Sequence, residues 1–499
     1  MRSERIPAYL DGYGKVGLFG HAGSAPGRGA SKLLPDLRAA IRACGLKDGD
    51  TISFHHHLRN GDFVLNLVLS EIAALGIRDI KVAASSLFPV HAPLVDRIDE
   101  GVVTCIHTAY MAGPLARAVT NGTLPMPAVL QTHGGRARAI VSGDLRIDLA
   151  FIAAPTADMA GNLNGTGGQS ACGTLGYAMV DAAHARHVMA ITDHLVPYPA
   201  QPIDISQDQV DFVVPIAAIG DPGGIVSGTT RATSDPVGLK IAHTAGQVIA
   251  ASGLLRNGFS FQTGAGGISL AVAAEVRKLM HERRVKGSFA SGGITGYIVD
   301  MLEDGLFEAL LDVQCFDLKA VDSYRRNPSH LCMSASMYAN PHVRGAVVDA
   351  LDVMVLGAAE IDLDFNVNVA TGSDGVIIGG SGGHADAAAG AKIAMVTSKL
   401  NAGGFAKVVD QVTTITTPGE TIDVLVTEEG VAVNPRRADL RERLLAQGLR
   451  VVAIEQLREI ARANATAEAR PARASERIVA VVEYRDGTVI DVVRQTADA

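Results

Sequence analysis

Main-chain amides at two glycine-rich turns are the plainest chemical resource in this sequence. The first is QTGAGG, residues 262–267, between a strand-like run ending near Phe261 and an apolar helical stretch from Ile268 to Met280. Gly264, Ala265, Gly266 and Gly267 would point several N–H groups, together with the positive end of the helix, at an anion or a developing oxyanion. An ordinary strand-to-helix turn would look the same. It is not a dinucleotide fingerprint, because Ser269 stands at the third glycine position and no acidic residue follows about 20 positions on. It also lacks the Gly-Lys-Ser/Thr of a P-loop. The second turn is GGSGGH, comprising Gly379, Gly380, Ser381, Gly382, Gly383 and His384, and it opens a small-residue helix. Upstream, Glu360, Asp362, Asp364, Asn366 and Asn368 alternate along residues 359–375. Extended backbone would put all five on one face, either a solvated edge or a wall of the site beside the turn.

Three consecutive histidines, His55, His56 and His57, fall in a loop between a strand and a helix. Imidazoles in such a loop can meet a metal or a substrate, but no carboxylate or cysteine is spaced to complete a metal set. The five cysteines are odd in number and at least 17 positions apart (315 to 332), which excludes CxxC zinc pairs and a disulfide framework. HGGR (133–136), GNLNGTGG (161–168) and RNPSH (326–330) read as polar turns. No GxSxG elbow or kinase motif set is present. The residues alone define an α/β enzyme that handles an anionic or acyl substrate.

The elements that must position these turns follow from hydrophobic patterning. Residues 51–86 read as strand, polar loop, amphipathic helix and strand, with Gly76 closing the helix. The same order recurs at 260–293, Ser53 matching Ser260 and Ala83 matching Ala290 at a shift of 207. This is either an internal duplication or two ordinary βαβ units. Short continuous apolar runs at 149–155, 187–192, 212–219, 351–358, 422–428 and 449–454 read as buried parallel strands. With 499 residues, two cores are expected. We expect domains at 1–255 and 256–463, then a linker at 464–476 and a hairpin turning at Asp486-Gly487, together residues 464–499. The hairpin should dock on the body or on a partner. A formal charge of −8 and only 22 aromatic residues argue against nucleic-acid binding. The first twelve residues lack an apolar leader and no apolar run reaches about 18 residues, so no membrane association and a cytoplasmic location are expected.

Taken in order, ISFHHHLRNGD (52–62), SSLFPVHAPLVDRIDEGVVT (85–104), HGGR, QTGAGGISLAV (262–272), SGGIT (291–295), LDVQCFD (311–317), RNPSH, EIDLDFNVNVATGSDGV (360–376) and GGSGGH closely resemble the α subunit of citrate lyase, the citrate CoA-transferase. The likeness runs on to VEYRDGTVIDVV at 482–493. It implies an α/β fold of two related open-sheet domains of the CoA-transferase (NagB/RpiA-like) type. It implies a reaction in which acetyl-acyl-carrier protein and citrate give citryl-acyl-carrier protein and acetate. It also implies a γ subunit bearing a CoA-derived prosthetic group, a β subunit that cleaves the citryl thioester, an oligomeric assembly, and no cofactor or metal held by this chain. On that footing, Gly266, Gly267, Gly382 and Gly383 are expected at the reacting carbonyl. Glu360 is expected beside them, with Gly264, Ala265, Gly379, Gly380, Ser381 and His384 along the CoA-derived group. His56, Arg59, Arg136, Asn366 and Arg231 are the candidates for citrate. The stretch 360–384 is also similar to CoA-transferases and hydrolases in which a glutamate carries CoA covalently. The alternative reading is therefore a glutamyl-thioester enzyme using Glu360.

Overall fold

The structure, a computed structural model, describes residues 31–226, 231–467 and 474–496. The N-terminal stretch read as lacking a leader and the middle of the expected linker lie outside the described residues.

Two large sheets are each built by one recipe. In the first, Thr51–Phe54 is central, with Ile80–Ala84, Val103–Thr108 and Ala128–Leu130 added outward on one side. Leu149–Ala153, His187–Thr192 and Phe212–Pro215 are added on the other, all parallel. In the second, Ser260–Thr263 is central. Gly287–Ile294, Phe307–Cys315 and His330–Cys332 lie on one side, and Val353–Leu356, Ile393–Thr397 and Val424–Thr427 on the other. Strands covered on both faces need no polar alternation. LAFIA, VMVL and IAMVT are accordingly buried at every position.

The duplication extends to individual hydrogen bonds. Thr51 N donates to Asp148 Oδ2 at 2.9 Å and Ser260 N to Asp352 Oδ2 at 3.0 Å. Val188 N and Ala394 N each donate at 2.8 Å to Asp211 and Asp423. Ile52 lies opposite Leu149 as Phe261 lies opposite Val353. The central strands therefore match at a shift of 260 − 51 = 209, two residues from the 207 expected of the sequence. The repeat places His55 where the second half has Gly264, and His57 where it has Gly266.

Each half also carries a small three-stranded sheet, built on a tight turn in which an aspartate gathers the amides that follow it. Asp158 accepts from the amides of Ala160, Gly161 and Asn162, and Asp362 from those of Asp364 and Asn366. This corrects the expectation of one long strand with five polar residues on a face. Glu360–Asp362 and Val367–Asn368 are antiparallel arms of that turn, with Phe365 at φ 65° between them, and Glu360, Asp362 and Asn368 are buried. The run 449–454 likewise differs from expectation. It makes only a single parallel bridge, Val451 with Val431, before a helix starts at Ile454.

The C-terminal hairpin, Ala474–Glu483 with Val489–Thr496, docks on the body. Ala480, Val481 and Val482 pair in parallel with Ala128, Val129 and Leu130, extending the first sheet to nine strands. Its turn residue Arg485 reaches the Ala339 carbonyl at 3.2 Å in the second half.

Candidate active site

In open α/β sheets ligands bind beyond the carboxyl ends of the strands, where the order of strands reverses. Here the two reversal points carry the histidine loop (55–57) and the glycine loop (264–267). The two sheets meet at these ends, and Gln314 Nε2 of the second half donates to the His56 carbonyl of the first at 2.9 Å.

Around that seam lies an aromatic cluster, His56 and Tyr177 buried and His133 and Phe88 half-buried. His56 stands with its ring centroid 4.6 Å from Tyr177, 5.6 Å from His133 and 5.9 Å from Phe88. Its Nδ1 meets Ser85 Oγ at 2.6 Å. The Nδ1 atoms of His55 and His57 are hydrogen-bonded to one another. Burial is the largest cause that pushes these rings toward the neutral form, His55 to about 4 and His133 to about 3. His56 and His57 fall well below the usual histidine value, again first by burial and then by neighbouring positive groups. At neutral pH the cluster is uncharged.

Next to the histidine loop at this seam stands a cation, Arg59. Its guanidinium lies 5.5 Å from the Phe88 centroid and 4.9 Å from that of Phe316, one ring from each half. The residue holds φ 52°, a conformation that a non-glycine residue adopts at a cost and that marks functional loops. Two other residues expected to meet citrate make their hydrogen bonds elsewhere than beside Arg59. Arg136 forks Asp181 at 2.8 and 2.9 Å and donates to the Ala83 carbonyl at 2.8 Å, so its donors serve the interior of the first half. Asn366 is held in the turn by Asp362 Oδ2 at 3.2 Å and by Gly419 N at 2.9 Å. It lines a separate cavity of about 440 Å³ with Pro418 and Arg436. Arg231 is exposed, and its main chain runs beside Gly267, whose carbonyl accepts from Thr233 N at 2.9 Å.

The turn at 379–383 comes to the seam, and the turn at 264–267 lies at the strand ends of the second sheet. Gly264 N is bonded to the Val355 carbonyl at 2.9 Å, whereas the N–H groups of Ala265, Gly266 and Gly267 have no partner among the described residues. Gly267 opens a helix of 17 residues. The turn at 379–383 lies across the strand ends of the first half. Met111 N donates to Gly379 O at 3.2 Å, Gly382 N to Ala109 O at 3.0 Å and His133 N to Gly382 O at 2.8 Å. The Gly382 N–H, expected at the reacting carbonyl, is committed to Ala109. Gly380, Ser381 and Gly383 keep theirs uncommitted among the described residues. Glycine is required in this turn because a Cβ at Gly380 would stand 2.3 Å from the Ala109 oxygen, and one at Gly383 2.5 Å from Tyr338 Oη. His384 begins the next helix, with Nδ1 at 2.7 Å from Thr417 Oγ1 and Nε2 at 2.9 Å from the Gly357 carbonyl. Burial pushes its pKa to about 4, so as a neutral ring it donates to Gly357 and accepts from Thr417.

Glu360 is buried and surrounded by donors. Asn368 Nδ2 reaches it at 3.0 Å, Thr413 N at 2.8 Å and Thr413 Oγ1 at 3.2 Å, with Ser373 Oγ as the fourth. Sequence reasoning missed Gln314, His133, Tyr177 and Phe316. It also missed Asp312, Cys315 and His330, whose ligand atoms lie within 4.8 Å of one another. Asp312 Oδ2 accepts from both partners at 3.0 Å, and this trio braces the strand end that carries Gln314.

Two copies of an open parallel sheet, joined at their strand ends around main-chain donors, define an α/β fold of the CoA-transferase type. The chain belongs to the citrate lyase alpha subunit family. The family profile for "Citrate lyase, alpha subunit (CitF)" matches residues 30–496. The chain is 49% identical over 467 residues to the citrate lyase alpha chain of Escherichia coli K12, covering 94% of this chain and 91% of that one. A crystal structure of the citrate lyase alpha subunit from Streptococcus mutans in complex with citrate superposes with a TM-score of 0.93 at 46% identity, covering 99% of each chain. A Pseudomonas malonate decarboxylase hetero-tetramer in complex with malonate shares the fold at a TM-score of 0.62 and 16% identity, covering 83% of this chain and 82% of that one. Among the described residues no helix is long and apolar enough to cross a membrane.

Proposed function

We propose that this chain exchanges acetate for citrate on a thioester, as the citrate CoA-transferase component of a citrate lyase. The observation that carries this reading is the seam itself. Uncommitted N–H groups at 265–267 and at Gly380, Ser381 and Gly383 lie at these strand ends, with the Arg59 guanidinium set between two aromatic rings and beside neutral imidazoles. Arg59 holds a carboxylate of citrate while another attacks the acetyl thioester carbonyl. The tetrahedral oxyanion is stabilised by the glycine-turn amides, and the thiolate departs, leaving a mixed anhydride. The thiolate then attacks the citryl carbonyl and acetate leaves. Charge and atoms balance without a net proton transfer, which suits a cluster of neutral imidazoles. His56, His133 and Tyr177 exclude the water that would hydrolyse the anhydride. The four donors around Glu360 make it a brace for the 371–376 and 413 segments rather than a nucleophile.

The thioester donor in this reading is the CoA-derived group on a γ subunit, and a β subunit cleaves the citryl product, within a cytoplasmic oligomer. The test is to supply the purified chain with acetyl-CoA or an acetylated carrier, plus citrate. Acetate should appear in step with citryl thioester. Failure to use citrate, with efficient exchange of other acids, overturns the reading.

A further inference from the structure

One acceptor at the seam is left bare. Gln314 is 1% exposed, and its Oε1 has no hydrogen-bond partner among the described residues. The orientation of the amide is fixed by its other end. Nε2 faces the His56 carbonyl at 2.9 Å, where an oxygen would be repelled, so Oε1 must point the other way. The main chain is fixed as well, because Gln314 N donates to Asp312 Oδ1 at 2.7 Å and Asp312 is gripped by His330 and Cys315. Buried amide oxygens normally find a donor, and one held bare by a braced strand is a place built for an incoming N–H or O–H.

Its neighbours say what that donor is attached to. Gln314 and Phe316 are alternate residues at one strand end. Gln314 reaches the His56 main chain, and the Phe316 ring lies 4.9 Å from the Arg59 guanidinium. The short loop His56 to Arg59 therefore carries a cation at one end and meets the residue with the bare acceptor at the other. A carboxylate suits the first and is repelled by the second, whereas a hydroxyl a few bonds from a carboxylate suits both. We propose that Gln314 Oε1 accepts a hydrogen bond from the hydroxyl of a hydroxy-polycarboxylate, making Gln314 the residue that selects such an acid over its deoxy analogue. This rests on the reading of citrate as the acceptor acid and adds which of its groups is recognised.

The test compares citrate with propane-1,2,3-tricarboxylate, which has the same three carboxylates and no hydroxyl, as acyl acceptors from acetyl-CoA. The native chain should favour citrate in kcat/KM by about 10- to 100-fold, since the deoxy acid leaves the buried acceptor unpaired. In Gln314→Met the ratio should collapse to within about threefold, through loss of citrate turnover. Equal use of the two acids by the native chain, as when water alone serves Oε1, overturns this inference and leaves the functional reading standing. A preference that persists in Gln314→Met also overturns it. Exchange with neither acid overturns both. Should Gln314→Met fail to fold, the native kinetics decide alone, supported by a larger rise in Tm with citrate than with the deoxy acid.

Discussion

Glu360 separates two chemistries that share this fold. Its carboxylate accepts from Asn368, Ser373 and twice from Thr413. In Glu360→Ala, four donors lose their acceptor, the Asn368 amide buried and the Ser373 and Thr413 donors part-buried. At about 1 kcal/mol net for each hydrogen bond, the cost is on the order of 4 kcal/mol. At roughly 2–4 °C per kcal/mol for a folding unit of this size, Tm should fall by about 8–16 °C. Glu360→Gln keeps the shape. The side-chain oxygen can serve Asn368 and the Thr413 amide while the new NH₂ donates to the two hydroxyls, which can rotate to accept, so the cost should be only about 1–2 kcal/mol. For a brace, Glu360→Gln retains acetate–citrate exchange within about tenfold below its melting temperature, and hydroxylamine or borohydride treatment with acyl-CoA leaves residue 360 of the native chain unmodified. For a covalent carrier, the amide cannot form the thioester and turnover falls by three orders of magnitude or more. The assay is exchange of labelled acetate at a temperature where circular dichroism shows both chains folded. A folded but inactive Glu360→Gln, together with a labelled Glu360 in the native chain, would refute the assignment made here.

Other perturbations address the rest of the site. Arg59→Met should raise the KM for citrate about 10- to 100-fold at a temperature where circular dichroism shows the chain folded, and Arg59→Lys should recover only part of it, because an ammonium lacks the planar fork held between two rings. Arg136→Met leaves the Asp181 charge buried and unpaired, so it should lower stability in urea by about 3–5 kcal/mol, while Arg136→Met with Asp181→Leu should lower it less. Gly380→Ala would drive a methyl against the Ala109 oxygen, and exchange should drop at least about 100-fold while the second sheet stays folded. The histidine cluster makes a prediction about acid. His55 and His133, held at about 4 and about 3 against 6.5 when unfolded, contribute stability that is complete above pH 6.5 and lost as pH falls through those values, roughly 3 kcal/mol from His55 alone. Asp386, raised to about 6 first by burial, acts in the opposite sense, its contribution being present below about 3.8 and lost as pH rises through 6. Urea midpoints measured from pH 8 to pH 4 should therefore decline on the acid side, and His133→Asn should flatten the decline.

Much of the frame was legible because buried parallel strands announce themselves as unbroken apolar runs, and all but the run at 449–454 became strands. That exception lies beyond an antiparallel edge at Gly430–Val433, with a helix beginning at Ile454, which leaves no room for more than a bridge. The duplication was legible as an order of elements but not in its register. The contacts that fix the central strands are amide-to-aspartate bonds, Thr51 to Asp148 and Ser260 to Asp352, whose partners are 97 and 92 positions apart. The polar stretch after Glu360 was misread because alternation assumes extended chain, and Asp362 instead folds the following amides around itself. Main-chain donors at both glycine turns were readable from spacing. Which donors stay uncommitted was not, since Gly382 meets Ala109 only when the halves close. The aromatic cluster and Gln314 gave no local signal for the same reason, each acquiring its meaning from a residue in the other half or another strand.

The hairpin that completes the first sheet has a consequence for how the chain is made. Gln131 and Glu483, neighbours across that junction, are 352 positions apart. A ribosome therefore delivers the strand Ala128–Leu130 long before its partner exists, and for that interval the nascent sheet presents a bare row of N–H and C=O groups to other chains. Transcripts cut short after the second sheet should yield sticky, insoluble products even though nearly every residue of the proposed site is present, and helper proteins that shield open edges during synthesis would be of most use here.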